Sequence, residues 1–263
     1  MRATGLLGLP WTARSLDNAP EGFNAEGLAV VDYTNDETAV PTSQPHTEVI
    51  SAGELDFVPI SPAMLPIKPD QRVTTEFNLT LINDAVTGLF SINGGDFGTF
   101  VAPDVPPLLS IAMGLTTDEL PRTANAARLE YGKHIEVVLV NDMNEQHPFH
   151  MHTHTPWVVG AGAATREEIY GDNLTGLKLQ GPLLRDVYTV PACDTDENGD
   201  CINLGYVVLR FNADSPGVWM MHCHIDWHMG DGLSMIFVEG EEELHKKGID
   251  SFSNSILSVC KGD

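Results

Sequence analysis

The tripeptide His222-Cys223-His224 can be accommodated by few backbones. Along a β-strand, successive side chains point to opposite faces. The two imidazoles would then share one face and the thiol would take the other, so a single three-residue unit addresses two separate sites. Seven of the ten histidines lie in two short segments, His147-Pro148-Phe149-His150-Met151-His152-Thr153-His154 and His222-Cys223-His224-Ile225-Asp226-Trp227-His228. A thiolate with two imidazoles is the trigonal ligand set of a blue-copper electron-transfer centre. Cys223 has His228 five positions on, past a turn, and His147 is the natural candidate for the second imidazole. The opposite face would collect His150, His152, His222 and His224, imidazoles without a thiolate, which suit copper, zinc or iron. Structural zinc prefers locally spaced sets with more than one cysteine, so copper is the favoured metal. The isolated His46, His134 and His245 read as ordinary hydrogen-bonded histidines.

The segments around these motifs are strand-like. Phe77–Leu81 alternates, and Leu89-Phe90-Ser91-Ile92-Asn93-Gly94-Gly95 runs into a turn. His134–Val140, Trp157–Gly160, Val187–Val190, Tyr206–Phe211 and Ser234–Val238 are further short apolar or β-branched runs. Many short strands with Gly and Pro between them imply an all-β sandwich or barrel. Residues 116–130 and 240–260 look partly helical, and Glu241–Lys247 sets acids first and lysines last, as a helix dipole favours. Residues 1–40 hold short apolar pieces, Met1–Leu6 and Gly27–Tyr33. Pro41, Pro45, Pro59, Pro62, Pro66 and Pro69 mark residues 41–70 as a linker laid over a surface. Residues 71–263 form the main domain.

Apolar residues make up 42% of 263, enough for a packed core. A formal charge of −23 argues against nucleic acid, because few cations are present to neutralise phosphates. The apolar runs are too short to span a bilayer, and no signal peptide opens the chain. Four cysteines occur, at 193, 201, 223 and 260; with Cys223 read as a ligand, an odd number remains.

With these residues in view, the chain resembles the multicopper oxidases, especially laccases and the related iron oxidases, whose C-terminal domain carries an HPxHxHxH and an HCHxxWH segment. Phe90-Ser91-Ile92-Asn93-Gly94, Arg185-Asp186-Val187 and Asn212–Trp219 add to the likeness, which covers roughly residues 1–240. The resemblance implies an all-β, cupredoxin-like Greek-key β-sandwich or barrel with short peripheral helices. Within it, residues 1–40 would be the end of a middle cupredoxin domain and 71–263 the C-terminal copper-binding domain. His147, Cys223 and His228 would hold type 1 copper, His150 type 2 copper, and His152, His222 and His224 the type 3 pair. Leu233 would occupy the axial position of the type 1 site without coordinating. Asp226 stands where the family has an acid that helps deliver protons to oxygen; alternatively it bonds a ligand histidine and fixes its tautomer. Thr153 replaces the family's glycine, and His154 is not a ligand.

The implied activity is one-electron oxidation of phenols or aromatic amines at the type 1 copper, near an exposed His228, coupled to reduction of dioxygen to water. The alternatives are a ferrous-iron oxidase, for which Asp142 and Glu145 ahead of His147 would serve, and a non-catalytic copper-binding electron-transfer module. The resemblance implies about twice as many cluster imidazoles as the four this chain supplies. The rest are expected from a missing N-terminal domain or another subunit, so this chain alone would be an incomplete enzyme. Cys193 and Cys201 can pair locally and close an acidic hairpin tip, Asp194–Gly199, that only imitates a calcium loop. Cys260 would pair outside the chain. The sequons Asn78-Leu79-Thr80 and Asn173-Leu174-Thr175 suit a secreted, glycosylated oxidase.

Overall fold

The computed structural model describes residues 2–4, 26–28, 54–82, 87–93 and 98–259. The chain divides into two compact units, Met1–Ser51 and Ala52–Asp263. In the first, strand β1 (Arg2–Thr4) pairs antiparallel with β2 (Glu26–Leu28). The rest of that unit, including His46, Pro41 and Pro45, lies outside the described residues, as do Gly94, Gly95 and Cys260.

The second unit runs β3 (Gln71–Ile82), β4 (Thr87–Ile92), α1 (Pro107–Ala112), β5 (Ala126–Leu129), β6 (His134–Asn141), β7 (His147–Met151), β8 (Trp157–Ala164), α2 (Arg166–Tyr170), β9 (Leu183–Leu184) and β10 (Val187–Val190). It continues through β11 (Asp194–Thr195), β12 (Cys201–Asn212), β13 (Gly217–Cys223), α3 (Asp226–Gly230), β14 (Ser234–Glu239), α4 (Glu241–Lys247) and α5 (Asn254–Val259). One sheet has the order β10-β7-β13-β14-β5; the other has β4-β3-β6-β12-β8-β9, with β11 added on β12. From β6 to β14 the chain passes repeatedly from one sheet to the other, so neighbours such as β7 and β13 are distant in sequence. This is the cupredoxin-like sandwich expected; the two sheets stay separate and form no closed barrel.

Three apolar layers explain which runs became strands. Between the sheets, Phe77, Ile135, Val137, Leu139, Val207, Leu209 and Phe211 pack against Phe149, Met151, Tyr188, Met221, Cys223 and Phe237. Val138, Val140, Val159, Tyr206 and Val208 form a second layer with Leu65 and Ile169 on the outer face of the larger sheet. Ile236 and Val238 meet Ile111 and Leu244 of α1 and α4 in a third. Strand β6 is therefore buried along its whole length, and its run Val137–Val140 need not alternate with polar residues. Each fully buried Leu, Ile or Phe contributes roughly 1.5–3 kcal/mol over an exposed one.

The helical reading of 116–130 is corrected in part. Thr117–Glu119 and Arg122–Ala124 are single 3-10 turns. Asn125 then takes a left-handed φ of 45°, which ends the helical path, and Ala126–Leu129 becomes a strand parallel to β14. The helical reading of 240–260 holds for its described part, to residue 259: α4 ends at Gly248, whose φ is 66°, and α5 follows. The segment before β3 lies along the larger sheet. Lys178 Nζ donates to the carbonyls of Leu55 and Phe57 at 2.6 and 3.2 Å, and Leu65 N donates to Leu179 O at 2.9 Å.

Candidate metal centre

Strand β13 pairs antiparallel with β7, setting His222 opposite His150 and Cys223 opposite Phe149. The face assignment read from the sequence therefore holds on both strands. Cys223 and Phe149 enter the core between the sheets, while His150 and His222 lie on the other face. A hydrogen bond from Cys223 N to Leu233 O, 3.0 Å, and one from His224 N to Pro148 O, 2.7 Å, fix the end of β13.

In the core, Cys223 Sγ lies 3.8 Å from His147 Nδ1 and 3.5 Å from His228 Nδ1, and the two Nδ1 atoms are 3.1 Å apart. His228 comes within reach because the short helix α3 turns the chain back. All three side chains are buried, and among the described residues they are the one group of three or more His, Cys, Asp or Glu whose donor atoms already lie within 4.8 Å of one another. Donor separations of this size suit an ion bound at roughly 2.0–2.3 Å from each atom. Phe77 meets the His147 ring edge-on at 5.3 Å, and Phe90 lies 4.8 Å from His228. Leu233, fully buried in the same cluster, offers only hydrocarbon beside them. An apolar wall of this kind excludes water and tunes a metal's potential.

On the opposite face four further imidazoles, His150, His152, His222 and His224, converge. His150 and His152 are 5.1 Å apart between ring centres, His152 and His222 5.2 Å, and His222 and His224 5.9 Å. Two of them have their tautomers set by the backbone: His150 Nδ1 donates to Asp186 O and His222 Nδ1 to Cys223 O, each at 2.9 Å. Their Nε2 lone pairs are thereby presented outwards, as metal-ligating histidines require. His152 Nε2 lies 3.1 Å from His222 Nε2. Asp186, part of the Arg185-Asp186-Val187 likeness, thus has a physical role that its sequence did not disclose.

Electrostatics favour neutral imidazoles. Burial, then His228, pushes His147 down to about 3. Burial also lowers His228, and with the neighbouring histidines lowers His152 and His222. Burial pushes the Cys223 thiol up to about 11, so a cation is needed to hold the thiolate. Metal uptake by the trigonal site should therefore release about one proton between pH 6 and 9, with affinity rising as pH rises towards the thiol's value. Calorimetric titration of the metal-free chain with Co(II), in buffers of different ionisation enthalpy, checks this. Release of no proton would mean the thiol is already ionised; release of two or more would mean the imidazoles are protonated.

Two expectations need correcting. His228 is not exposed: it is 8% accessible, against 0% for His147, because Phe90 and α3 cover it. The exposed group there is Trp227, 58% accessible, whose indole meets the His228 ring at 5.6 Å and 90°. Asp226 is exposed at the start of α3 and forms no side-chain hydrogen bond among those described, so it does not fix a ligand tautomer. Other readings stand. His134 Nδ1 is bonded to Asn212 Oδ1 and His245 Nε2 to Leu115 O. Cys193 and Cys201 form a disulfide that closes the acidic hairpin, whose Asp196 is satisfied by the amides of Asn198 and Asp200. His154 stands apart from the imidazole group, bonded to Glu239.

A cupredoxin-like sandwich with a Cys/His2 set inside and four imidazoles on one face defines a class of copper protein. The chain belongs to the multicopper oxidase family, whose model matches residues 99–243. It is 29% identical over 262 residues to the iron transport multicopper oxidase FET3 of Candida albicans, an alignment covering 94% of this chain and 38% of that protein. It is 32% identical over 216 residues to a laccase of Phlebia radiata, covering 80% of this chain and 37% of the relative. The chain thus spans little more than a third of these relatives. Among solved structures, Fet3p, a multicopper oxidase that functions in iron import, superposes with a TM-score of 0.67 at 24% identity, over 86% of this chain and 42% of Fet3p. The laccase of Botrytis aclada gives 0.63 at 22% identity, over 91% and 40%. These likenesses speak for the fold.

Proposed function

We propose that this chain carries the electron-accepting centre of a laccase-type oxidase that takes electrons singly from phenols or aromatic amines. His147, Cys223 and His228 hold type 1 copper with Leu233 at its non-coordinating axial position. His150 serves type 2 copper, and His152, His222 and His224 the type 3 pair, with further imidazoles supplied from outside this chain. The observation that carries the reading is the placement of two donor sets on opposite faces of one strand, bridged by His222-Cys223-His224. Bound copper supplies a one-electron acceptor at the thiolate and the seat of dioxygen reduction at the imidazole face.

The chain's own residues do the rest. The exposed indole of Trp227 gives an aromatic reductant a flat contact against His228. Phe77 and Phe90 keep water from the thiolate. The bonded path from Cys223 to its two neighbours links the faces. Asp226, exposed two residues beyond His224, takes the position of the family's acid that helps deliver protons to oxygen. The Cys193–Cys201 disulfide and the two sequons support a secreted protein.

A ferrous-iron oxidase is the second reading, favoured by one observation. Glu145, two residues before His147, has a buried carboxylate oxygen, Oε1, with no hydrogen-bond partner, and burial raises its pKa. Asp142 is less available, with Arg166 at 3.6 Å. Steady-state comparison of Fe(II) with a phenol on the full-length protein separates the two. For a laccase-type enzyme the phenol has the higher kcat/KM, and Glu145→Ala leaves both substrates within about 2-fold of wild type. A Glu145→Ala loss of about 10-fold or more, confined to Fe(II), would establish the iron reading instead. An intense blue protein that reduces no oxygen would reduce the assignment to an electron-transfer module.

A further inference from the structure

On a regular strand His150, His152 and His154 would share a face, because side chains repeat every second residue. The structure breaks that pattern at Thr153. This residue has a φ of 67°, and His154 N donates to His152 O at 2.8 Å. A hydrogen bond across one residue of positive φ is a tight turn of the γ class, rare and strained. For a β-branched residue the left-handed region is a genuine outlier, a strain that the surroundings must hold.

Those surroundings lie on the far side of the turn. His154 Nε2 donates to Glu239 Oε2 at 2.6 Å, and Ser215 N donates to Glu239 Oε1 at 2.6 Å. Glu239, on β14, is wholly buried, and the His154 ring stacks on Phe211 at 4.6 Å. A buried carboxyl that loses a partner is costly, so His154 is held firmly inside. On the near side, His152 N donates to Met220 O at 2.9 Å, and its ring meets His222. The turn thus sends residue 152 to the imidazole face and residue 154 to the interior.

We propose that Glu239, acting through His154, is a positioning residue: the buried pair holds the strained Thr153 turn and so aims His152 at the imidazole cluster. Its functional weight rests on the reading that this cluster holds metal, but the geometry can be tested without metal. In the metal-free chain with ring-labelled histidine, NMR cross-relaxation reports the His152–His222 contact, and the His147–His228 contact serves as internal reference. Glu239→Gln removes one acceptor. His154→Phe keeps the ring against Phe211 but deletes the N–H, and it decides the matter should the first variant not fold. The expected result is loss of the His152–His222 signal in either variant, with the His147–His228 signal intact. Adding Thr153→Gly to Glu239→Gln should restore it, because glycine takes a positive φ without strain. A retained signal in the single variants overturns the proposal. So does a loss that Thr153→Gly fails to repair, which would mean Glu239 supports the sandwich at large. Separately, Cu(II) added to the wild-type chain should give an EPR signal from the imidazole face. Its absence would remove the metal reading of that face and leave the result for the turn standing.

Discussion

Cys223→Ser should leave a folded, colourless protein. Serine is nearly the size of cysteine, and its hydroxyl would sit near two ring nitrogens, His147 Nδ1 and His228 Nδ1, now 3.8 and 3.5 Å from the sulfur. With a partner in reach, the buried hydroxyl costs at most about 1–3 kcal/mol. The chemical loss is larger. The intense absorption of a blue-copper centre depends on a soft thiolate, and a neutral hydroxyl is no substitute. Changes in groups that merely support ligands already cost 10–100-fold in such sites, so loss of a ligand should lower reductant oxidation by more than about 100-fold. The companion variant His224→Ala, made in the full-length protein, tests the alternation along the strand: it should keep the blue colour, because His224 faces the other way, while oxygen reduction fails. Copper-loaded Cys223→Ser that stayed blue would show that the sulfur is not a ligand, and the assignment of the trigonal centre would be lost.

The legible part of this molecule was what period two controls. Cys223 and Phe149 fell on one face and His150 and His222 on the other because β7 and β13 are regular strands in register. The sequence marks strand β12 only from Tyr206 to Phe211, since Cys201–Leu204 lacks apolar continuity; in the structure it is held by β6, β8 and the β11 hairpin. Residues 126–129 looked helical because their own preferences say nothing of the parallel partner β14. His154 could be excluded as a ligand only by resemblance, because its departure from the strand pattern depends on a partner, Glu239, 85 residues away. The burial of His228 is not legible for a related reason: Phe90, which covers it, belongs to a different hairpin. In each case the missing information was a tertiary contact that overrode a local tendency.

The second large effect concerns stability and lies away from the imidazoles. Arg210 of β12 and Glu136 of β6 face each other on adjacent strands and are 2% and 3% accessible. Arg210 Nε donates to Glu136 Oε2 at 2.7 Å, and Nη2 approaches the same oxygen at 2.7 Å. Arg210 also donates to the carbonyls of Pro66 and Ile67 at 2.6 and 3.3 Å, tying the segment before β3 to the larger sheet. Arg72 stands 3.5 Å from the other Glu136 oxygen and reaches Asp172 and the Ile169 carbonyl of α2. Removing one member of a buried ion pair costs about 3–5 kcal/mol, because the remaining charge keeps its desolvation penalty. Arg210→Met should fall near the lower end, about 3 kcal/mol, since Arg72 still faces Glu136. For a domain of this size each kcal/mol lowers Tm by roughly 2–4 °C, so a drop of about 6–12 °C is expected by calorimetry. Arg210→Met combined with Glu136→Leu should regain most of it, because a well-packed apolar pair can replace a buried ion pair at little cost. The metal-centre absorption at ambient temperature should be unchanged in both, since neither residue touches the donors. A single variant within about 1 kcal/mol of wild type would show that water or Arg72 already satisfies Glu136, and the strap on the larger sheet would then be held by its other ties, Lys178, the Leu65–Leu179 and Gly181–Ala63 bonds and the Asp70–His134 pair.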